Sequence, residues 1–230
     1  MYRYLFFDAD GTLFDFDAAE RRAICAMAEE EGVSLDDGHI ARYQAANLSC
    51  WKDFERGQLT LDQLKRERFV RFNRESGFTF DPQRSSRRYQ YHLSVQGILY
   101  KESIEVLTTL KERGYTLYLA SNGIAEVQRG RIAVAQVAHF FDDIFISEEM
   151  GVQKPDVRYF ETMLKKANLS ASKASCLMIG DSLTSDIKGG IDSGMDTVWL
   201  NMGGRERSTL SPTYTITSLT EILDLLTLPH

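Results

Sequence analysis

The sequence predicts a doubly wound α/β fold, a Rossmann-like parallel sheet core with an inserted helical cap domain. Three observations predict it. Short apolar runs recur, each ending in polar residues: RYLFFD (3–8), YTLYLASN (115–122), DIFISEE (143–149), SCLMIGD (175–181) and TVWLN (197–201). Helix-like segments separate the later runs. Residues 17–92 carry helical patterns with no strand signal among them.

The apolar runs are too short for typical helices and rich in β-forming residues, so they read as buried strands. The first leads into DAAERRAICAMAEEEG, LTLDQLKRERFVRFNRESG and DPQRSSRRYQYHL, with Gly32, Gly57 and Gly77 as punctuation. The simplest reading makes 17–92 a helical insert and assigns 1–16 and 93–230 to the α/β core, which resumes near Gly97. Helices are expected over 101–113, stopped by Gly114, and over 124–138, 158–168 and 183–193, stopped by Gly194. A short strand at 214–217 and a last helix at 219–226 complete the chain. Strands alternating with helices imply parallel βαβ units. Ligands of such sheets bind beyond the carboxyl ends of the strands, where the polar residues lie.

The composition narrows the function classes. The 230 residues suit one sizeable domain or a core with an insert; 43% are hydrophobic and 26% charged, a globular balance. The net charge is -6 and no Lys/Arg run has the length of a nucleic-acid tail. Cys25, Cys50 and Cys176 are odd in number and form no C-x-x-C, which fits reduced thiols and a cytoplasmic setting. The start MYRYLFFDAD lacks the pattern of a signal peptide, and no apolar run approaches the ~20 residues of a membrane span. The expected partner is a small molecule, with no nucleic acid polymer and no membrane, and the chain is expected as a monomer or small homo-oligomer.

The chemistry begins at Asp8 and Asp10. If the extended backbone continues to Asp10, positions i and i+2 put both carboxylates on one side of the strand end, and Gly11 lets the chain turn. Crowded carboxylates must be protonated, paired or bound to a cation. Four residues alone fit a turn with Asx hydrogen bonds equally well. GDSLTSD (180–186) adds Asp181 at a strand end and Asp186 about one helical turn further. Asp8 and Asp181 on adjacent strand ends, with a backbone carbonyl nearby, meet the oxygen-rich demand of Mg²⁺; helix capping explains one of the later acids well and both less well. Lys154 in GVQKPD supplies positive charge, and Pro155 is expected in the first turn of the next helix. Ser121 and Asn122 offer a hydroxyl and a loop of N–H groups suited to an anion, although an N-cap is the better reading of them in isolation.

Together, DADGTLF (8–14), LASN (119–122), KP (154–155) and GDSLTSD (180–186) resemble, in order, the four motifs of the haloacid dehalogenase-like (HAD) phosphohydrolase superfamily. The resemblance covers the whole core, and the insert after the first motif resembles the helical type of cap domain. SNGIAEVQRGRI, FISEEMGVQKPD and SDIKGGIDSGMDTVWLN are similar to the pyrimidine 5′-nucleotidase branch that also acts on non-canonical nucleotides. The resemblance implies a Mg²⁺-dependent phosphatase working through an aspartyl-phosphate. Asp8 is then the nucleophile and Asp10 the acid and base. Asp8, the Asp10 carbonyl and Asp181 hold Mg²⁺. Lys154 and Ser121 bind phosphate oxygens while Asn122 shapes the phosphate-binding loop, and Asp186 orients Lys154 or a metal-bound water. The alternatives are a phosphomutase of the β-phosphoglucomutase type or a sugar-phosphate phosphatase on the same core, a haloacid dehalogenase, or a phosphate-binding module without turnover. A dehalogenase has no need of the acid at Asp10.

Other features carry less. His39, His92, His139 and His230 lack metal or triad spacing. Ser182 reads as a helix cap, Gly189 and Gly190 as close packing, and Gly203-Gly204 before Arg205 as a loop. Tyr43, Trp51, Phe54 and Phe69 read as core of the insert more readily than as a platform for a base.

Overall fold

The structure is a computed structural model that describes residues 2–202 and 209–226; the Gly203–Arg205 loop and His230 lie outside the described residues. The strands are β1 (Tyr4–Phe7), β2 (Thr116–Ser121), β3 (Asp143–Ile146), β4 (Cys176–Gly180), β5 (Asp196–Leu200) and β6 (Tyr214–Ile216). They form one parallel sheet in the order β3-β2-β1-β4-β5-β6. Every apolar run of the sequence is one of these strands. β1 is central, and the strand order reverses beside it, the place where doubly wound sheets bind ligands. Its register sets Phe7 between Leu119 of β2 and Ile179 of β4. The next residue, Asp8, is thereby carried to the carboxyl ends of both neighbours.

The described residues divide into two compact units. The first holds the sheet and comprises residues up to 15, 99–125 and 136 onward; the second comprises 16–98 and 126–135. The last segment is one that the sequence assigned to the α/β core. The second unit contains α1 (Phe16–Glu30), α2 (Asp37–Glu55), α3 (Leu61–Ser76) and α4 (Pro82–Ser94). Local chemistry starts these helices. Asp36 accepts from the His39 N–H, Thr60 and Gln63 form a capping box, and Asp81 caps α4 ahead of Pro82. Inside, Tyr43, Phe69, Phe72 and Tyr89 interlock at ring separations of 5.2 to 6.0 Å, with Cys50, Phe54 and Leu64 in a second cluster. Tyr43, Phe54 and Phe69 are therefore core, and Trp51 packs edge-on against Phe54.

The helices α5 (Ser103–Glu112), α6 (Ala125–Ala135), α7 (Ser147–Met150), α8 (Val157–Lys166), α9 (Lys188–Asp192) and α10 (Glu221–Leu225) follow. On one face of the sheet Phe6, Tyr118, Phe145 and Met178 pack with Tyr159, Phe160 and Met163 of α8, and the Phe6 and Tyr118 rings stack 4.6 Å apart. Gly189 admits Phe160 so closely that a β-carbon would lie 2.3 Å from its ring. That is the close packing expected of this glycine.

Several local expectations are corrected. Glu148 and Glu149 belong to the single turn α7 and not to a strand end. Pro155 stands outside α8, in a cis peptide with Lys154. The Asp156 carboxylate accepts from Arg158 N–H and caps the helix instead, so α8 starts at Val157. The helix expected from 183 opens as a π-type turn, Leu183–Ile187, because both the Asp186 and Ile187 N–H groups reach the Ser182 carbonyl. The wider turn buries Asp186.

Candidate active site

Asp8 leaves β1 with its N–H still bonded to the Ile179 carbonyl at 2.8 Å, so the ladder fixes it beyond the strand end. The extended backbone does not run on to Asp10. The Ala9 carbonyl takes the N–H groups of Leu13 and Phe14, which turns the chain. Asp10 thus reaches its place through a turn and not through the alternation of a strand. Gly11 sits in that turn at φ 81, and a β-carbon on it would lie 2.4 Å from Asp181 Oδ2. Glycine is needed here for conformation and for space.

Lys154 organises the centre. Its side chain is 1% exposed, and Nζ donates to Asp8 Oδ1 at 2.6 Å, Asp186 Oδ1 at 2.6 Å and the Ala120 carbonyl at 2.7 Å. An ammonium has three N–H bonds, and all three are engaged. Burial works against the charge on Lys154, but the Asp186 and Asp8 carboxylates outweigh it and hold the pKa above the usual lysine value. Asn122 fixes the lysine main chain from both sides: its Nδ2 donates to the Lys154 carbonyl and its Oδ1 accepts from the Lys154 N–H, each at 2.8 Å. The Asn122 side chain shapes the loop. Ser121, buried at the end of β2, accepts the Gly123 N–H at 3.0 Å.

The acids are strained electrostatically. Burial and the Asp186 charge hold the Asp8 carboxyl well above the ordinary aspartate range, against the pull of Lys154. Burial, with Asp186 again second, pushes Asp181 up to about 7. One oxygen from each of Asp8, Asp181 and Asp186 falls within a group no more than 4.8 Å across. Three carboxylates around one ammonium leave an excess of negative charge, the condition a divalent cation relieves. Asp186 has its oxygens committed, Oδ1 to Lys154 and Oδ2 to the Ser182 N–H at 3.1 Å. Asp8 and Asp181 are the carboxylates better disposed to hold a metal. The Asp10 carboxylate is not one of the group.

Three supporting residues were not singled out in the sequence. Trp199 Nε1 donates to the Asp181 carbonyl at 2.9 Å, and Thr12 Oγ1 to Asp181 Oδ1 at 3.5 Å. Gly180 lets Asp186 fold back, since a β-carbon there would lie 2.2 Å from Asp186 Oδ2. The strand-end position of TVWLN was the available signal for Trp199. Asp8, Asp10, Ser121, Asn122, Lys154, Asp181 and Asp186 all belong to the sheet-bearing unit.

The family model of the haloacid dehalogenase-like hydrolases matches residues 2–194. The chain belongs to that family. Among relatives of this HAD hydrolase, the pyrimidine 5′-nucleotidase PynA of Streptococcus pneumoniae is 39% identical over 98% of this chain and 95% of its own length. The pyrimidine 5′-nucleotidase YjjG of Escherichia coli is 30% identical over 97% of both. The solved structure of the HAD-hydrolase YfnB from Bacillus subtilis, bound to magnesium, superposes with a TM-score of 0.92 at 34% identity and covers 99% of each chain. Among the described residues no helix is long and apolar enough to cross a membrane.

Proposed function

We propose that this HAD hydrolase is a Mg²⁺-dependent phosphatase that hydrolyses pyrimidine nucleoside 5′-monophosphates through an aspartyl-phosphate. The observation that carries the reading is Asp8: a buried carboxylate at the end of the central strand, clamped through Oδ1 by Lys154 and set beside Asp181. The two nucleotidase relatives, matched along nearly their full lengths, support the substrate class.

Asp8 attacks phosphorus and forms the aspartyl-phosphate as the bond to the leaving oxygen breaks. Asp10 gives its proton to that oxygen. Asp10 then takes a proton from water as the water attacks phosphorus, the Asp8–phosphorus bond breaks, and inorganic phosphate leaves. Asp8, Asp181 and the Asp10 carbonyl would hold the metal, whose chemistry is to neutralise charge on the phosphoryl oxygens. Lys154 orients Asp8, and Ser121 with the 121–123 loop receives phosphate oxygens. Asn122 and Asp186 keep Lys154 in place. Residues 17–92 act as the cap domain that selects the leaving group.

The test is phosphate release from nucleoside monophosphates, sugar phosphates and p-nitrophenyl phosphate with Mg²⁺. We expect the highest kcat/KM on pyrimidine nucleoside monophosphates, loss of activity with EDTA, and a fall of about 10³-fold or more in Asp8→Asn. Full activity in Asp8→Asn, or no phosphate release from any substrate, would overturn the proposal.

A further inference from the structure

Asp8, Asp181 and Asp186 stand together, but Lys154 bonds to two of them. Its ammonium donates to Asp8 and Asp186, and its third N–H goes to the Ala120 carbonyl. Asp181 meets the same burial and repulsion without that bond. Two other groups hold it. On its side chain, Thr12 Oγ1 donates to Oδ1 at 3.5 Å, at the outer limit for such a bond. On its main chain, Trp199 Nε1 donates to the carbonyl at 2.9 Å, an ordinary hydrogen-bond length.

The sheet fixes where that donor stands. β5 pairs in parallel with β4, and the register sets Trp199 level with Gly180, the last residue of β4. Asp181 follows, so an indole at position 199 lies beside the residue that leaves the ladder. On the other edge of β5, Trp199 pairs with Thr215 of β6, and its side chain is 4% exposed. The ring is thereby held from both sides. Packing alone does not call for the N–H, since a phenylalanine offers a large apolar ring with no donor to satisfy. Indole has one donor and no acceptor. That donor goes to the residue whose carboxylate faces Asp8. Mg²⁺ demands a near-ideal octahedron of oxygens, and a carboxylate displaced by its acidic neighbours must be drawn back before it can join one. A main chain fixed in advance removes that rearrangement.

We propose that Trp199 is a positioning residue for the metal site: its indole N–H holds the Asp181 main chain so that the carboxylate meets Mg²⁺ without moving. The inference rests on the reading of Asp8 and Asp181 as the metal-holding acids and extends it to a strand that supplies neither. Trp199 acts through Asp181 and takes no part in proton transfer.

The experiment measures the Kd for Mg²⁺ by titration calorimetry on the full-length protein, with Tm as the check on folding. Trp199→Phe removes the donor and one ring. Benzothienylalanine placed at position 199 keeps the two-ring shape and puts sulfur where the N–H was, so it reports on the hydrogen bond even where Trp199→Phe does not fold. Val198→Ala takes fully buried volume from the same strand and leaves the indole bond in place. The expected result is a rise of about tenfold in Kd in both Trp199 replacements. Val198→Ala is expected to lower Tm and leave Kd unchanged. A wild-type Kd in the folded Trp199 replacements overturns the inference alone. An equal rise in Val198→Ala also overturns it, because the effect would then be a general loosening of the strand. A wild type that binds no Mg²⁺ overturns the metal reading, and this inference with it.

Discussion

Lys154 and Arg68 are both buried cations, one in each unit, and they are treated in opposite ways. Lys154 has three N–H bonds and three partners, two of them carboxylates. Arg68 has an aromatic ring against its face and two nitrogens with no partner. A buried charge that is fully paired is part of a rigid frame, and removing it leaves its partners uncompensated. A buried charge with idle donors is costly to keep, because its N–H groups forgo the hydrogen bonds that water would give them. One cation is set among the acids of the sheet unit, the other against a ring in the core of the helical unit.

The two cations should differ most in what their loss does to stability. Lys154→Met strands the Asp8 and Asp186 carboxylates against each other, and we expect a loss of about 3–5 kcal/mol in urea unfolding without Mg²⁺. An unchanged midpoint would mean that the ammonium does not hold the acids. Glu20 gives the next largest effect. Burial raises its pKa from 4.5 to about 7, opposed by the hydrogen bond from Asn47. The folded state keeps the Glu20 proton through a range in which the unfolded state releases it. Its contribution to stability is therefore full below about pH 4.5, falls as pH rises, and is lost above about pH 7. Glu20→Gln does not titrate, so its stability relative to wild type is expected to rise by roughly 2–3 kcal/mol between pH 4 and pH 8. A constant difference across that range would show that Glu20 is not held protonated.

Smaller effects sharpen the contrast. Gly11→Ala forces a β-carbon towards Asp181 at positive φ, and a loss of about 1–3 kcal/mol by thermal unfolding is expected, with weaker Mg²⁺ binding by calorimetry. Arg68→Met has the smallest expected effect, within about 1 kcal/mol of wild type and of either sign, because Met replaces an unpaired ion in an aromatic core. A loss as large as that of Lys154→Met would make the two cations equivalent and erase the distinction.

Most of the sheet was legible because buried parallel strands are written as continuous apolar runs, and the reacting groups stand at their ends. YLFF gives way to Asp8, and CLMIG to Asp181. Details that depend on how turns close were not legible. The Ala9 carbonyl, not strand alternation, places Asp10, and the π-type turn sets Asp186 against Lys154. Arg68 was invisible for a different reason. In LKRERFVRF it is one arginine among three, and Arg66 and Arg71 have the same local chemistry. Only packing separates them: Arg71 pairs with Asp53 and Glu67, whereas Arg68 turns into the aromatic core.

The strand order has a consequence for synthesis. β1 is made first, yet its neighbours are β2 and β4, which begin at Thr116 and Cys176. Four apolar residues with both edges unpaired must wait on the growing chain while more than a hundred residues follow, the kind of segment that seeds misassembly. Charges flanking such a segment discourage pairing with other chains. Arg3 precedes it, and Asp8 and Asp10 follow it. The acids assigned to catalysis thus stand guard over the nascent strand long before a site exists for them to serve.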